Sequence, residues 1–514
     1  MSLRIGVDVG GTNTDAVLLD ERDVLGWAKR PTSPDVTLGI REALSTLLAA
    51  RLAPASQVRA VMVGTTHFTN AVIVRRGLAR TAILRLCLPA CQSLPPLVDW
   101  PDDLRQAIGT KILLLHGGYE FDGTPIESLR ADEIDHAIAA LRHAGIEAAA
   151  VAGVFSPVDD AQERHVAASL QSSLPKLAVT LSSEIGRIGL LERENAAILN
   201  ASLGGIARDV VGSLRSVLDE LGLECELYVS QNDGTLMTAE YATRFPVLTF
   251  ASGPTNSMRG AALLSGLDDA LVVDIGGTST DIGTLRGGFP REAGFEVSVG
   301  GVRTNFRMPD LLSLGLGGGS FVSEDGVRVG PHSAGYELTH RALSFGGAEL
   351  TATDIGVAAG LIEIGGRERV QRLPRSTVER SLAAIRRILE DGIDAVKTRS
   401  ASTAVVAVGG GSFLIPNDLT GVSLVMRPRY YEVANAVGAA IGQVSGEIDR
   451  IFPMEGRTRE SVLAEARAEA EARAVEAGAM RESLEIVEVE EVPAAYLPST
   501  AVRVRIKAVG DLRA

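Results

Sequence analysis

Short apolar runs alternate with amphipathic stretches along most of the chain. Residues 59–63 and 148–155 are mostly apolar runs with the length of a buried strand, whereas residues 131–144 and 160–174 place their apolar side chains on one helical face. Strands that alternate with helices in this way are typical of the α/β class. The pattern therefore predicts an α/β fold.

One nine-residue pattern occurs twice. Residues 7–15 read VDVGGTNTD and residues 273–281 read VDIGGTSTD, with identity at seven of the nine positions. Apolar residues lie on both sides of each copy, so each is predicted to form a β-hairpin with a tight Gly-Gly-Thr turn. The copies are too far apart for a solenoid, whose repeats recur every ~20–50 residues. The repeat therefore predicts a duplicated domain.

Two predicted helices carry mostly small residues on one face. Residues 192–205 read ERENAAILNASLGG and residues 432–442 read EVANAVGAAIG. Helices lined by Ala and Gly can approach a neighbour closely, so these two are predicted to cross each other between two lobes. The alternative is that each simply packs tightly within its own surroundings.

The chain is long enough for two to four domains, at 514 residues. We expect a first lobe over residues 3–200, a second over 201–450 and a small C-terminal α/β appendage over 451–514. The appendage is predicted from a Glu-, Ala- and Arg-rich stretch at 457–481, typical of an exposed helix, and two alternating strands at 484–492 and 500–509.

Each hairpin carries the groups of a phosphate-binding turn. An aspartate ends the first strand, two glycines leave backbone N–H groups exposed, and the next residues add side-chain donors. Such groups form an anion nest, and an aspartate beside it can hold Mg²⁺, usually through water. The predicted residues are Asp8, Gly10, Gly11, Thr12 and Asn13, and Asp274, Gly276, Gly277, Thr278 and Ser279. One such turn often only connects strands, but two predict a clamp for the β- and γ-phosphates of a nucleotide.

A third glycine-rich turn follows an apolar strand. Residues 405–413 read VVAVGGGSF, and Gly409, Gly410 and Gly411 resemble the adenosine-binding loop of the actin-like ATPases. Alone this loop is a weak signal, and its place after the second hairpin strengthens it. The chain contains no Gly-Lys dipeptide, so a Walker A loop is absent.

Composition excludes several classes of protein. The formal net charge is −14 and aromatic residues make up 4%, which argues against nucleic acid as a partner. Three cysteines favour a reducing compartment without a disulfide framework. No stretch has the ~20 apolar residues that cross a bilayer, so we expect a cytoplasmic protein and no membrane partner. The seven histidines show no zinc-ligand spacing.

The order hairpin, helix, hairpin, glycine loop, helix resembles the actin-like ATPase superfamily, and the finer resemblance is to the hydantoinase A/5-oxoprolinase family. It covers roughly residues 4–445. The blocks that carry it are DVGGTNTDAVL (8–18), GTTHFTNAVI (64–73), ERENAAILNA (192–201), SQNDG (230–234), SGP (252–254), GLGGGS (315–320), VGPHSAG (329–335) and TATDIG (351–356). The resemblance implies duplicated actin-like, ribonuclease-H-like lobes with ATP in the cleft between them.

The resemblance also implies an activity. ATP would phosphorylate the carbonyl oxygen of a cyclic amide, such as a hydantoin, 5-oxoproline or a lactam, so that water can open the ring. A B-type hydantoinase subunit or another chain is a plausible partner. The expected cofactors are ATP and Mg²⁺, with Asp8 and Asp274 as metal residues and Asp15 and Asp281 as further catalytic candidates.

The substrate is less clearly indicated. Thr66, His67, Asn70 and His332 are candidate substrate contacts, although histidines in such loops are more often structural. The family's usual Pro-Gly-Pro-x-Cys-Tyr run is replaced by YELTHRALSF at 336–345, which indicates an unusual substrate. Two alternatives remain open: a small-molecule kinase of the same superfamily, and a nucleotide-binding subunit of an ATP-dependent carboxylase.

Overall fold

Both predicted hairpins form, and each begins a sheet of its own. The structure is a computed structural model that describes residues 3–32, 36–109, 111–185, 188–293, 297–305, 308–398, 400–493 and 501–512. The predicted strands and helices of the opening pattern are confirmed as β4, β7, α4 and α5, whose bounds are given below.

The strands within the described ranges are β1 (Leu3–Val9), β2 (Asn13–Asp20), β3 (Asp23–Pro31), β4 (Val58–Thr65), β5 (Thr81–Leu88), β6 (Lys111–His116), β7 (Ala148–Gly153), β8 (Ala178–Leu181), β9 (Glu226–Ser230), β10 (Leu236–Thr238), β11 (Ala270–Ile275), β12 (Thr280–Arg286), β13 (Phe289–Pro290), β14 (Val297–Val299), β15 (Val302–Thr304), β16 (Leu311–Leu314), β17 (Ser320–Val322), β18 (Val329–Ser333), β19 (Thr403–Val408), β20 (Val422–Met426), β21 (Val444–Pro453), β22 (Glu485–Pro493) and β23 (Ala501–Gly510).

The helices in the same ranges are α1 (Val36–Ala49), α2 (His67–Ile73), α3 (Asp102–Ile108), α4 (Ala131–His143), α5 (Ala161–Ser173), α6 (Ser182–Ile185), α7 (Leu190–Glu220), α8 (Ala239–Arg244), α9 (Ser252–Ser265), α10 (Leu338–Arg341), α11 (Ala352–Ala358), α12 (Arg367–Val370), α13 (Arg375–Val396), α14 (Ala434–Ala440) and α15 (Arg459–Ala477).

Two sheets repeat the same local topology. The large sheet has nine strands in the order β22-β23-β21-β10-β9-β4-β1-β2-β3, and the second sheet has six, with β13-β12-β11-β19-β20 in line and β16 beside β12. In the large sheet β1 pairs antiparallel with β2 and parallel with β4. In the second sheet β11 pairs antiparallel with β12 and parallel with β19. The duplicated sequence therefore corresponds to a duplicated strand arrangement.

A smaller parallel sheet with the order β6-β5-β7-β8 is formed by strands between residues 81 and 181. Helix α7 joins it to the large sheet, because Ala196 and Ala197 of α7 share a buried cluster with Ile83 of β5, and Val211 and Leu214 of α7 share another with Ile5 of β1. None of the helices in the described ranges combines the length and apolar character of a bilayer crossing.

The predicted pairing of the two small-residue helices is wrong. Helix α14 packs against α9 and β1 instead of crossing α7. A Cβ added at Gly438 of α14 would overlap the carbonyl oxygen of Asn256 in α9, and one added at Gly260 would overlap that of Ala434. The sequence revealed the need for a close neighbour but not its identity.

The C-terminal segment is built into the large sheet. Strands β23 and β22 extend it beyond β21, and α15 packs on β21 and β23. The helix predicted to be an exposed one therefore buries an alanine face, formed by Ala466, Ala470, Ala474 and Ala477. The predicted boundaries at residues 200 and 450 remain predictions; α7 spans the first and β21 spans the second.

Replacing Gly438 with Ala should destabilise the fold by at least about 1–3 kcal/mol, because the new methyl group meets backbone atoms that cannot move aside independently. The matched control is Gly212→Ala in α7, where an added Cβ meets nothing within 4 Å. That change should be neutral or stabilise the protein by up to about 1 kcal/mol. Thermal unfolding measures both effects. Equal stability of the two variants would contradict the close packing of α14 on α9.

Candidate active site

The turns of the two hairpins face each other. Each turn closes with the same backbone hydrogen bond, from Gly10 N to Asn13 O (3.0 Å) and from Gly276 N to Ser279 O (2.9 Å). Between the turns, Thr12 Oγ1 lies 3.5 Å from Thr278 Oγ1. The two copies of the motif therefore meet at one place, although they belong to different sheets.

A cavity of about 500 Å³ lies at this meeting point. It brings together residues of both hairpins, of the glycine loop after β19, and of the segment between β4 and α2. The sequence-predicted residues in its lining are Asp8, Gly10, Gly11, Thr12, Asn13, Asp15, Thr66, Asn70, Asp274, Gly276, Gly277, Thr278, Ser279, Asp281, Gly409, Gly410 and Gly411. Their assigned roles in binding and catalysis remain predictions.

The GLGGGS block supports the second hairpin from behind. Gly318 N donates to Gly276 O (3.0 Å), and Gly319 N donates to Gly277 O (2.7 Å). Thr353 of the TATDIG block donates its hydroxyl to Gly318 O (2.8 Å). Backbone atoms approach so closely here that a Cβ at residue 317 would crowd the backbone of Gly277. These two sequence blocks therefore shape the turn that carries Thr278.

Four carboxylates lie at the ends of the hairpin strands. Asp8 faces Asp15 across the first hairpin, and Asp274 faces Asp281 across the second. Burial, together with the nearby charges of Asp15 and Asp274, raises the pKa of Asp8 to about 7. Burial also raises the pKa of Asp274, and it raises that of Asp281 to about 6 despite a hydrogen bond from Ser313.

Asp8 is only partly satisfied by its neighbours. Its Oδ2 atom accepts a hydrogen bond of 2.9 Å from Nδ2 of Asn435, in the first turn of α14. Its Oδ1 atom is buried and has no well-formed hydrogen bond among the described residues. The Asn256 amide lies close by and favours the charged carboxylate, but it is directed to Ser230 Oγ at 3.1 Å. An ionised Asp8 thus lacks full compensation from the protein alone.

The donor set fits a cation that is bound largely through water. Within the described ranges, no group of three or more His, Cys, Asp or Glu side chains is arranged to hold a metal ion. Mg²⁺ usually keeps several waters and needs only one or two carboxylates together with phosphate oxygens. Asp8 and Asp274, one from each sheet, could supply those carboxylates.

Sequence reasoning missed several lining residues. Lys29 of β3 lies opposite Asp15 in the strand register, with its Nζ 2.6 Å from Asp15 Oδ1. The lining also includes six apolar or aromatic side chains: Tyr336, Leu338, Phe345, Ile362, Ile364 and Phe413. Three of these belong to the 336–345 segment that departs from the family pattern, and that departure was the available signal.

The structure separates the four candidate substrate contacts. Thr66 and Asn70 line the cavity, whereas His67 and His332 do not. His67 begins α2, and burial lowers the pKa of its imidazole. His332 is exposed on β18. If either histidine contacts the substrate, the substrate must extend beyond this cavity.

Comparison with known proteins agrees with the motif order. The hydantoinase/oxoprolinase N-terminal region matches residues 4–174, and the hydantoinase/oxoprolinase domain matches residues 193–397. The chain is 26% identical to the caprolactamase subunit alpha of Pseudomonas jessenii over 475 residues, covering 85% of this chain and 65% of that protein. It is 27% identical to the acetophenone carboxylase gamma subunit of Aromatoleum aromaticum over 411 residues, covering 71% and 54%. The chain therefore spans less than two thirds of either relative.

Two solved structures share the fold. The ATP-dependent caprolactamase of Pseudomonas jessenii superposes with a TM-score of 0.80 at 21% identity, covering 99% of this chain and 88% of that one. Nucleotide-free acetone carboxylase superposes with a TM-score of 0.73 at 17% identity, covering 100% and 88%. These likenesses confirm the predicted α/β fold class. Because the two family regions together cover most of the sequence and contain both hairpins, the chain belongs to the hydantoinase/oxoprolinase family.

Proposed function

We propose that the protein is an ATP-dependent amidohydrolase, or the ATP-binding subunit of one, and that it opens a cyclic amide. The observation that carries this proposal is the pair of like hairpins facing each other across one cavity. Backbone N–H groups and hydroxyls supplied from two sides suit a chain of phosphates. Membership in the hydantoinase/oxoprolinase family favours an amide over an alcohol as the group that is phosphorylated.

ATP occupies the cavity in a defined direction. The glycine loop at 409–411 and the side chains of Phe345 and Phe413 line the cavity and come from the second half of the chain, and we assign the nucleoside to them. The phosphates then extend between the turns at residues 10–13 and 276–279. Asp8 and Asp274 would hold Mg²⁺ through water, and the bound ion would neutralise phosphate charge.

The chemistry activates an unreactive carbonyl. The amide oxygen attacks the γ-phosphorus, the bond from phosphorus to the β,γ-bridging oxygen breaks, and ADP leaves. A first water adds to the activated carbon, and the ring C–N bond breaks as nitrogen takes up a proton, which leaves an acyl phosphate. A second water attacks the acyl carbon, and phosphate departs with the former carbonyl oxygen to leave the carboxylic acid. Thr66 and Asn70 lie at the cavity wall from the first sheet and are our candidates for contacting the amide.

A partner chain is part of the proposal. The chain covers 65% of the caprolactamase subunit alpha and 54% of the acetophenone carboxylase gamma subunit, and both names denote subunits of larger enzymes. We propose that a B-type hydantoinase subunit or an equivalent chain completes the hydrolysis. The acetophenone carboxylase relative also supports a second candidate function, as the nucleotide-binding subunit of an ATP-dependent carboxylase.

A panel of cyclic amides labelled with oxygen-18 in the ring carbonyl tests the proposed reaction. The protein should release labelled phosphate and a ring-opened product from at least one lactam, hydantoin or 5-oxoproline, with the candidate partner present. Transfer of the label follows directly from phosphorylation of the carbonyl oxygen. A parallel assay with ketones and labelled bicarbonate detects the carboxylase. Accumulation of a stable phosphorylated alcohol as the product would indicate a kinase and contradict the amidohydrolase proposal.

Asp8→Asn and Asp274→Asn should each lower ATP turnover by about 10²–10³-fold, because each removes a charge that positions the metal and phosphates. The matched control is Asp135→Asn on exposed α4, which should leave turnover unchanged. Release of phosphate is the measurement, with circular dichroism to confirm that the variants fold. Near-normal turnover in both cavity variants would show that neither carboxylate serves the reaction.

Nucleotide affinity should rise with pH in a way that depends on Asp8. Burial raises its pKa to about 7, so below that pH the carboxyl group is mostly neutral and cannot favour the cation. Affinity for a non-hydrolysable ATP analogue with Mg²⁺ should therefore increase from pH 6 to pH 8. Asp8→Asn, measured under the same conditions, should lose that part of the increase, since ionisation of the nucleotide itself is common to both proteins. An identical pH dependence in both would contradict the assignment.

A further inference from the structure

Lys29 holds a position in the cavity that the family motifs do not account for. Five acidic residues line the cavity: Asp8, Asp15, Asp274, Asp281 and Glu432. Among the described lining residues, Lys29 is the one lysine, and neither arginine nor histidine is present. A bound nucleotide would add further negative charge to this acidic cavity. Lys29 is therefore the one cationic side chain that the described lining residues offer to balance it.

The ammonium group of Lys29 makes one ion pair and one hydrogen bond. Its Nζ lies 2.6 Å from Asp15 Oδ1 and donates to the carbonyl oxygen of Glu432 at 3.1 Å. A lysine ammonium has three N–H donors, so these two contacts occupy two of them at most. The described residues supply no third hydrogen-bond or ion-pair partner, and the side chain retains 26% of its exposure in the cavity wall. One donor thus remains for a ligand oxygen.

The proposed direction of the nucleotide indicates which ligand oxygen this is. The nucleoside is assigned to residues 409–411 and to the side chains of Phe345 and Phe413, which all follow the second hairpin in the chain. Lys29 comes instead from the large sheet, beside the first hairpin and its Asp15. A nucleotide bound in this direction reaches the first hairpin with the far end of its phosphate chain. The diphosphate is shorter by one phosphate and does not extend as far.

We propose that Lys29 donates a hydrogen bond to the terminal phosphate of a bound nucleoside triphosphate and thereby selects triphosphate over diphosphate. This inference rests on the proposed function. The same ammonium group contacts Glu432, whose neighbour Tyr431 accepts a hydrogen bond of 2.9 Å from Gly409 N. Lys29 thus links the terminal phosphate to the backbone segment that also holds the glycine loop.

Isothermal titration with Mg²⁺ and either ADP or a non-hydrolysable ATP analogue tests this assignment on the full chain. Lys29→Met should weaken the ATP analogue by about tenfold to a hundredfold, as expected for losing a hydrogen bond to a charged group, and should leave ADP within about twofold. Lys397→Met is the matched control, because Lys397 is also half-buried and donates to a backbone carbonyl, Gly421 O, but lies outside the cavity lining. It should change neither affinity.

The two nucleotides separate a ligand contact from a structural role. If Lys29 only holds Asp15 in place, Lys29→Met weakens both nucleotides equally, and the inference is overturned; unchanged affinities overturn it as well. If the Met variant does not fold, Lys29→Arg decides the matter. Its displaced donors should alter the ratio of ATP to ADP affinity, and an unaltered ratio contradicts the assignment. Failure of the unaltered protein to bind either nucleotide would instead contradict the proposed function, and this inference with it.

Discussion

The arrangement of the site depends on buried carboxylates that face one another from two sheets. Asp8 and Asp274 end equivalent strands, and burial together with neighbouring charge makes the ionised form of Asp8 costly in the protein alone. Under the proposed function, a divalent cation and the donors of the two turns would offset that cost when a nucleotide is bound. The buried negative charge would then favour a metal–polyphosphate complex over a free anion.

Close backbone packing holds the two sheets in the geometry that this charge arrangement needs. Helix α14 lies against α9 through Gly438 and Gly260, and it also packs on β1, where residue 6 is a glycine for lack of space. Asn435, in the same helix, donates to Asp8. A small displacement of α14 would therefore move the hydrogen-bond donor of Asp8. Packing and electrostatics are coupled here by a single short helix.

The sequence predicted the hairpins, the fold class and most of the polar lining, because those features are local or repeated. A duplicated turn carries its own chemistry wherever it is placed, so Asp8 and Asp274 needed no three-dimensional information. Lys29 was missed because its position depends on the register of β3 against β2. The partner of α14 was missed for a similar reason: small residues show that a neighbour comes close without showing which one. His67 illustrates the opposite error, since adjacency to Thr66 in sequence did not bring its side chain to the cavity.

A crystal structure with Mg²⁺ and a non-hydrolysable ATP analogue measures the central claim most directly. The β- and γ-phosphates should lie between the turns at residues 10–13 and 276–279. The metal should lie within water-mediated reach of Asp8 and Asp274, and the base beside residues 409–411. A nucleotide that contacts only one hairpin, or that binds outside this cavity, would contradict it.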